Sequence, residues 1–139
     1  MKHEIEHWIE DAAFNAGFSV ERLPEAVAAA ITLKARSQFV TGNPRVWWMS
    51  LACKYEQFDS TKYKLADILP ERAGKCWLIP EAESEDLPVY SIDLSQLPEL
   101  LEECPYFEYY LIGSDFGWLV SESDHNVYFV CRMQKAKEG

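Results

Sequence analysis

With 139 residues, of which 48% are apolar and 14% aromatic, the chain is long enough to bury a core and too hydrophobic to be disordered. Its formal net charge of −10 argues against nucleic acid and anionic lipid as partners, because both are recognised by Lys and Arg. We therefore expect a single domain over residues 1–139 that binds neither nucleic acid nor a membrane.

Residues 1–40 predict two N-terminal helices. In the first, apolar residues recur at intervals of three and four, and Gly17 follows where a C-terminal cap belongs. The second is expected to begin at Pro24, which suits a first helical position. Its predicted buried stripe is Leu23, Val27, Ala30 and Ile31.

Residues 45–131 predict the sheet. Short apolar runs bounded by Gly, Pro, Asn or Asp indicate strands, at 46–51, 76–79, 89–92, 107–112, 118–121 and 127–131. A brief helix is expected over 61–69 and an amphipathic helix over 93–103, while the polar tail 134–139 is expected to fray. Short connections pair strands antiparallel. The sequence thus predicts an α+β domain with one mainly antiparallel sheet of five or six strands, covered on one face by helices.

No targeting, cofactor or metal motif is recognisable. Acidic residues interrupt the N-terminus where a signal peptide would be apolar, and no apolar run approaches the ~20 residues of a membrane span. The four cysteines are at least 23 residues apart, so they form no close metal-binding pair. We expect a cytoplasmic protein with free core thiols, no cofactor and no metal, and the absence of a nucleophile beside a base disfavours an enzyme.

Charge is distributed unevenly along the chain. Residues 76–131 contain no Lys or Arg but hold 12 of the 23 carboxylates, whereas acidic and basic residues balance up to Lys75. A negative face without internal cations suits a basic protein partner, since opposite potentials speed encounter and fix orientation. The alternative is an acidic surface that only maintains solubility. The predicted partner-binding residues are Glu81, Glu83, Glu85, Asp86, Glu102 and Glu103.

A second candidate is a polar constellation near the C-terminus. Its members are Glu108, Tyr110, Trp118, Glu122 and His125. Glu122 and His125 flank a predicted turn, close enough for a hydrogen bond or for a shared metal ion with Asp124. This pattern would support a small-molecule- or metal-dependent activity. The alternative is a set of polar residues that stabilise the turn.

The sequence Phe107-Glu108-Tyr109-Tyr110, followed by Trp118-Leu119 and then by Glu122 and His125, resembles the C-terminal pattern of a bacterial family of domains without an established activity. The resemblance spans roughly residues 45–131. Ser123 and Asn126 stand where members of that family often have Asn and Asp. A more distant similarity, at the level of the fold, is to SUKH-type immunity domains, which are small, acidic α+β proteins of bacterial toxin systems. This similarity implies an immunity-like inhibitor that masks a basic partner.

Overall fold

The computed structural model describes residues 4–42, 44, 46–81, 88–123 and 125–133, and these form one seven-stranded sheet with helices. The helices are α1 (Glu4–Ala16), α2 (Glu25–Phe39), α3 (Leu65–Ile68) and α4 (Leu97–Glu103), with a 3₁₀ helix at Trp47–Met49. The strands are β1 (Glu21–Arg22), β2 (Tyr55–Asp59), β3 (Lys75–Pro80), β4 (Tyr90–Asp93), β5 (Tyr109–Gly113), β6 (Trp118–Glu122) and β7 (Val127–Arg132).

The strand order is β1-β4-β3-β5-β6-β7-β2, and every pair is antiparallel. This confirms the predicted α+β class and the antiparallel sheet, but the predicted number of five or six strands is wrong. The strands that the sequence does not reveal are the two at the edges. β1 has only two residues, and β2 is largely exposed, so neither shows the apolar alternation that marks a half-buried strand.

Both faces of the sheet are covered, not one as expected. The first face packs on α1, α3 and α4 and includes Leu78, Leu111 and Val120. The second face packs on α2 and the 3₁₀ helix and includes Ile112 and Leu119. The central strands therefore carry apolar residues on both sides, as a strand buried on both faces does. Side chains along β5 and β6 alternate between the two faces, as the period of two of a strand requires.

The predicted strand over 46–51 is wrong, because this segment forms the 3₁₀ helix. In a strand, neighbouring side chains point to opposite faces. Here both tryptophans pack on the second face: Trp47 stacks on Tyr110 with ring centroids 4.4 Å apart, and Trp48 stacks on Phe129 at 5.7 Å. A tight turn is the conformation that lets two adjacent indoles cover the same side of a sheet.

The four predicted helices are present, and α3 and α4 are shorter than predicted. Gly17 follows α1 with φ of 74°, a left-handed conformation that glycine adopts without steric cost. Pro24 is the residue before α2 rather than its first residue. None of the helices in the described residues is both long and apolar enough to span a membrane. The predicted frayed tail, 134–139, lies outside the described residues.

Candidate functional site

Carboxylates collect at one end of the sheet. β3, β6 and β2 finish at this end, while β5 and β7 begin there, and the register places Pro80 opposite Tyr109 and Tyr109 opposite Glu122. The residues that flank these strand ends include Glu81, which follows β3, and Glu108, which precedes β5. Glu122 and Asp59 are the last residues of their own strands. Antiparallel pairing thus brings together acids that are far apart in sequence.

The C-terminal end of α4 adds two more carboxylates. Glu102 and Glu103 are both exposed. Burial raises the pKa of Tyr128, in β7, to about 12, and the nearby charges of Glu122, Glu102 and Asp67 raise it in the same direction. Glu102 therefore lies close to the strand ends. We call this region the acidic end and define it as Asp59, Glu81, Glu102, Glu103, Glu108 and Glu122.

The opposite end of the sheet is balanced in charge. Lys75 begins β3 and is paired with Asp93, the last residue of β4. Arg132 ends β7, and Lys54 precedes β2. Asp115 lies in the turn between β5 and β6. We call this region the mixed end, because it carries both basic and acidic side chains.

Among the described cations, Arg22 and Lys62 lie near the acidic end. Arg22 Nη2 forms an ion pair with Glu6 Oε1 of α1 at 2.7 Å, so this cation neutralises a carboxylate from the N-terminal part of the chain. Lys62 lies beside Asp59, whose pKa is lowered mainly by hydrogen bonds from the Thr61 side chain and backbone and, to a smaller extent, by the Lys62 charge. Negative charge is therefore partly balanced at the β2 margin of the acidic end.

Glu81 and Glu108 face each other across β3 and β5. The backbone N–H of Glu81 donates to the carbonyl oxygen of Glu108 at 2.9 Å. The Tyr110 hydroxyl accepts a hydrogen bond from the Trp47 backbone N–H at 2.8 Å and donates one to the Glu81 carboxylate. Burial, followed by the charge of Glu81, holds the pKa of Tyr110 well above its ordinary value. Like charges directly opposite each other in a sheet repel, so this pair would favour a cationic partner.

Glu108 is also fixed by the second tryptophan of the 3₁₀ helix. Trp48 Nε1 donates to Glu108 Oε2 at 3.2 Å. The edge of the same indole meets the ring of His125, with centroids 5.9 Å apart and planes at 88°. The 3₁₀ helix thus positions one carboxylate and one exposed histidine at the acidic end.

Glu122 points to the other face of the sheet. The Tyr109 hydroxyl donates to Glu122 Oε1 at 2.8 Å. Burial raises the pKa of the Glu122 carboxyl, and the Tyr109 hydrogen bond opposes that effect. Glu122 is therefore a half-buried carboxylate held by a tyrosine.

The five residues of the predicted polar constellation lie in three places. Glu108 and Tyr110 are on the second face, and His125 is beside Trp48 on that same face. Glu122 is on the first face, bonded to Tyr109. Trp118 is also on the first face, but at the mixed end of β6, where it packs against Gly113. The structure therefore brings Glu108 and His125 to the same indole, that of Trp48, and directs Glu122 to the opposite side of the sheet.

An open groove lies where β2 ends and β7 begins. Its volume is about 480 Å³, and its lining residues are Gln57, Phe58, Asp59, Thr61, His125, Asn126 and Val127. Within the described part of the chain, no three His, Cys, Asp or Glu side chains are placed to hold a metal ion together.

Of the predicted partner-binding residues, the structure describes three. Glu81 is half-buried, and Glu102 and Glu103 are exposed. Glu83, Glu85 and Asp86 lie outside the described residues. The sequence prediction did not include Asp59, Glu108 or Glu122 among the partner-binding acids. Strand direction is the signal that could have identified these three acids. Each lies at or next to the end of a strand, and antiparallel pairing brings these ends to the same side of the sheet.

Comparisons with protein-family models, with curated proteins and with solved structures gave no match for this chain.

Proposed function

We propose that the chain is a non-enzymatic protein-binding module, and that its acidic end binds a basic surface on another protein. The observation that carries this proposal is the placement of carboxylates at five adjoining strand and helix ends, against a balanced opposite end. A one-sided distribution of charge orients an approaching cationic partner, whereas the same acids spread evenly would serve solubility alone.

The partner best suited to this surface presents several Lys or Arg side chains on a compact face. Glu102 and Glu103 are exposed, so they would speed encounter and contribute little energy each. Glu108 and Glu122 are already held by Trp48 and Tyr109 at 3.2 and 2.8 Å. Carboxylates that are fixed in advance lose less side-chain entropy when an Arg binds them. An immunity-like inhibitor that masks a basic effector would use a surface of this kind.

The test is affinity capture from a lysate of the protein's own cells at low and at high salt. Glu102→Lys/Glu103→Lys reverses two charges at the acidic end. Glu71→Lys/Asp115→Lys is the matched control, because it reverses two exposed charges at the mixed end, one just before β3 and one in the β5–β6 turn. We expect at least one basic protein to bind the native chain and the control, and to be lost both from the acidic-end variant and at high salt.

Thermal melting of both variants checks that each is folded. Equal loss of the captured protein from the two variants would contradict the proposal, as would capture that does not respond to salt. Recovery of no basic protein by the native chain would also contradict it.

A further inference from the structure

Two of the four thiols meet on the second face of the sheet. Cys131 lies in β7 opposite Tyr55, the first residue of β2. Cys53 precedes Tyr55 by two residues and packs against the same core cluster that contains Cys131. Burial raises the pKa of the Cys131 thiol well above its ordinary value, and the neighbouring Cys53 thiol raises it further. Chain segments 78 residues apart in sequence are therefore brought together at this pair of thiols.

The two thiols differ in access to solvent. Cys131 is fully buried, with 0% of its surface exposed, whereas Cys53 is half-buried. A small oxidant can therefore reach Cys53 first, while Cys131 is sheltered behind it. This is the arrangement of an attacking and a resolving cysteine.

We propose that Cys53 and Cys131 are an oxidisable pair, at which a low-molecular-weight disulfide such as oxidised glutathione closes an internal Cys53–Cys131 bridge. The Cys53 thiolate attacks one sulfur of the oxidant and expels one glutathione thiolate, leaving a mixed disulfide on Cys53. The Cys131 thiolate then attacks the Cys53 sulfur and expels the second glutathione. The protein loses two electrons and two protons, and the oxidant is reduced to two thiols.

The bridge would act on the edge of the sheet. β2 is an edge strand whose neighbour in the sheet is β7. The segment just before β2 is tied to the end of α2, because the Ala52 N–H donates to the Phe39 carbonyl at 2.7 Å. A bridge between Cys53 and β7 would therefore fasten both β2 and this α2 junction to the sheet, closing a long loop of chain.

The other two thiols are internal controls. Cys76 and Cys104 belong to or pack against the core of the first face, on the other side of the sheet. Burial raises the pKa of Cys76 to about 12 and that of Cys104 to about 11, as it also raises that of Cys131, so ionisation does not distinguish these thiols. The Cys104 thiol donates to the Trp8 carbonyl at 3.6 Å. Because Cys76 and Cys104 lie on the other side of the sheet, neither is expected to compete for Cys53 in the folded chain.

The test exposes the folded native chain to oxidised glutathione, blocks the remaining thiols by alkylation, and maps peptides by mass spectrometry. Trypsin alone is unsuitable, because three of the cysteines share the Lys- and Arg-free stretch 76–131. Cleavage after Glu separates all four, into peptides 26–56, 72–81, 104–108 and 123–138. We expect the linked product of 26–56 and 123–138, two hydrogens lighter than the separate peptides, to exceed every other linked pair by at least about fivefold.

The same oxidation in concentrated urea is the reference, because Cys53 can there pair with any of the three other thiols. Cys131→Ala should stop the reaction at a glutathione adduct on Cys53. The bridged native chain should also melt roughly 10 °C higher than the reduced chain, a shift that Cys53→Ala/Cys131→Ala cannot show. Comparable amounts of all linked pairs in the folded chain, or a native chain that retains glutathione on Cys53, would overturn the proposal.

Discussion

At the acidic end of the sheet, β3, β5 and β6 are flanked by Glu81, Glu108 and Glu122. At the mixed end, the same three strands are flanked by Lys75, by the β5–β6 turn that carries Asp115, and by a glycine. The two ends belong to the same strands and the same core but differ in the interactions that stabilise them. Charges and their hydrogen bonds stabilise the acidic end, whereas close packing of side chains stabilises the mixed end. The stability of the two ends should therefore respond to different perturbations.

The largest expected effect is a packing change at the mixed end. A Cβ added to Gly113 would lie 2.5 Å from Trp118 Nε1, closer than atoms of a folded protein approach. We expect Gly113→Ala to reduce the free energy of unfolding by about 2–3 kcal/mol, since the buried indole must shift within a close-packed core. Urea denaturation measures this, with Ser114→Ala, an exposed neighbour, as the control. If Gly113→Ala loses no more free energy of unfolding than the control, the packing of Trp118 does not stabilise this end of the sheet.

A smaller effect is expected from removing one hydrogen bond at the acidic end. Tyr109→Phe deletes the hydroxyl that donates to Glu122 at 2.8 Å. We expect a loss of about 1 kcal/mol in the free energy of unfolding, because water can partly replace the donor to a half-buried carboxylate. The pKa of Glu122 should rise further, because the hydrogen bond that lowers it is gone.

Denaturation and NMR titration of the Glu122 carboxyl measure the two effects of Tyr109→Phe. Tyr63→Phe, which alters an exposed phenol, should change stability by less than about 0.5 kcal/mol. If the Glu122 pKa stays the same in Tyr109→Phe, the hydroxyl does not position that carboxylate.

The smallest expected effect is a pH dependence of the free energy of unfolding, which arises from Glu122 at the acidic end. Burial raises the pKa of Glu122 in the folded chain, so the folded state binds its proton more tightly than the unfolded state does. Stability should therefore increase as the pH falls from neutral through the folded pKa of Glu122, and level off below the ordinary pKa of a carboxyl group. Glu122→Gln removes this contribution while its amide oxygen can still accept from Tyr109.

The difference between the native chain and Glu122→Gln isolates this contribution from that of the other acids. We expect the native chain to gain more stability than the variant between pH 7 and pH 5. Because Glu122 is only half-buried, solvent screening keeps the difference below about 1 kcal/mol. Equal gains in the two proteins would mean that Glu122 titrates alike in the folded and unfolded states.

The sequence was informative where side chains alternate. Alternation was enough to assign the residues of β5 to the two faces of the sheet. Tyr109 and Leu111 belong to the core of one face, and Tyr110 and Ile112 belong to the core of the other. It was misleading in α2, where apolar residues surround the helix and leave its orientation undetermined. Val27 was expected to be buried and is 45% exposed. Ala30 is also exposed, whereas Ile31 is buried as expected, together with Ala28, Ala35 and Phe39.

The acidic end could be predicted only in part. The stretch without Lys and Arg is visible in the sequence, but the side of the molecule on which its acids lie depends on strand pairing. Glu81 and Glu108 become neighbours through the β3–β5 register, and Asp59 joins them through the edge strand β2, which has no apolar signal. Likewise, the contact between Cys53 and Cys131 requires β2 to pair with β7.

The most direct test of the account is to locate where a cationic chain binds. We would titrate the isotopically labelled protein with a decalysine peptide at low salt and map backbone amide shifts by NMR. We expect the shifts to concentrate at Asp59, Glu102, Glu108 and Glu122 and to disappear at high salt. Shifts of equal size at Asp93 and Asp115, the acids of the mixed end, would contradict it.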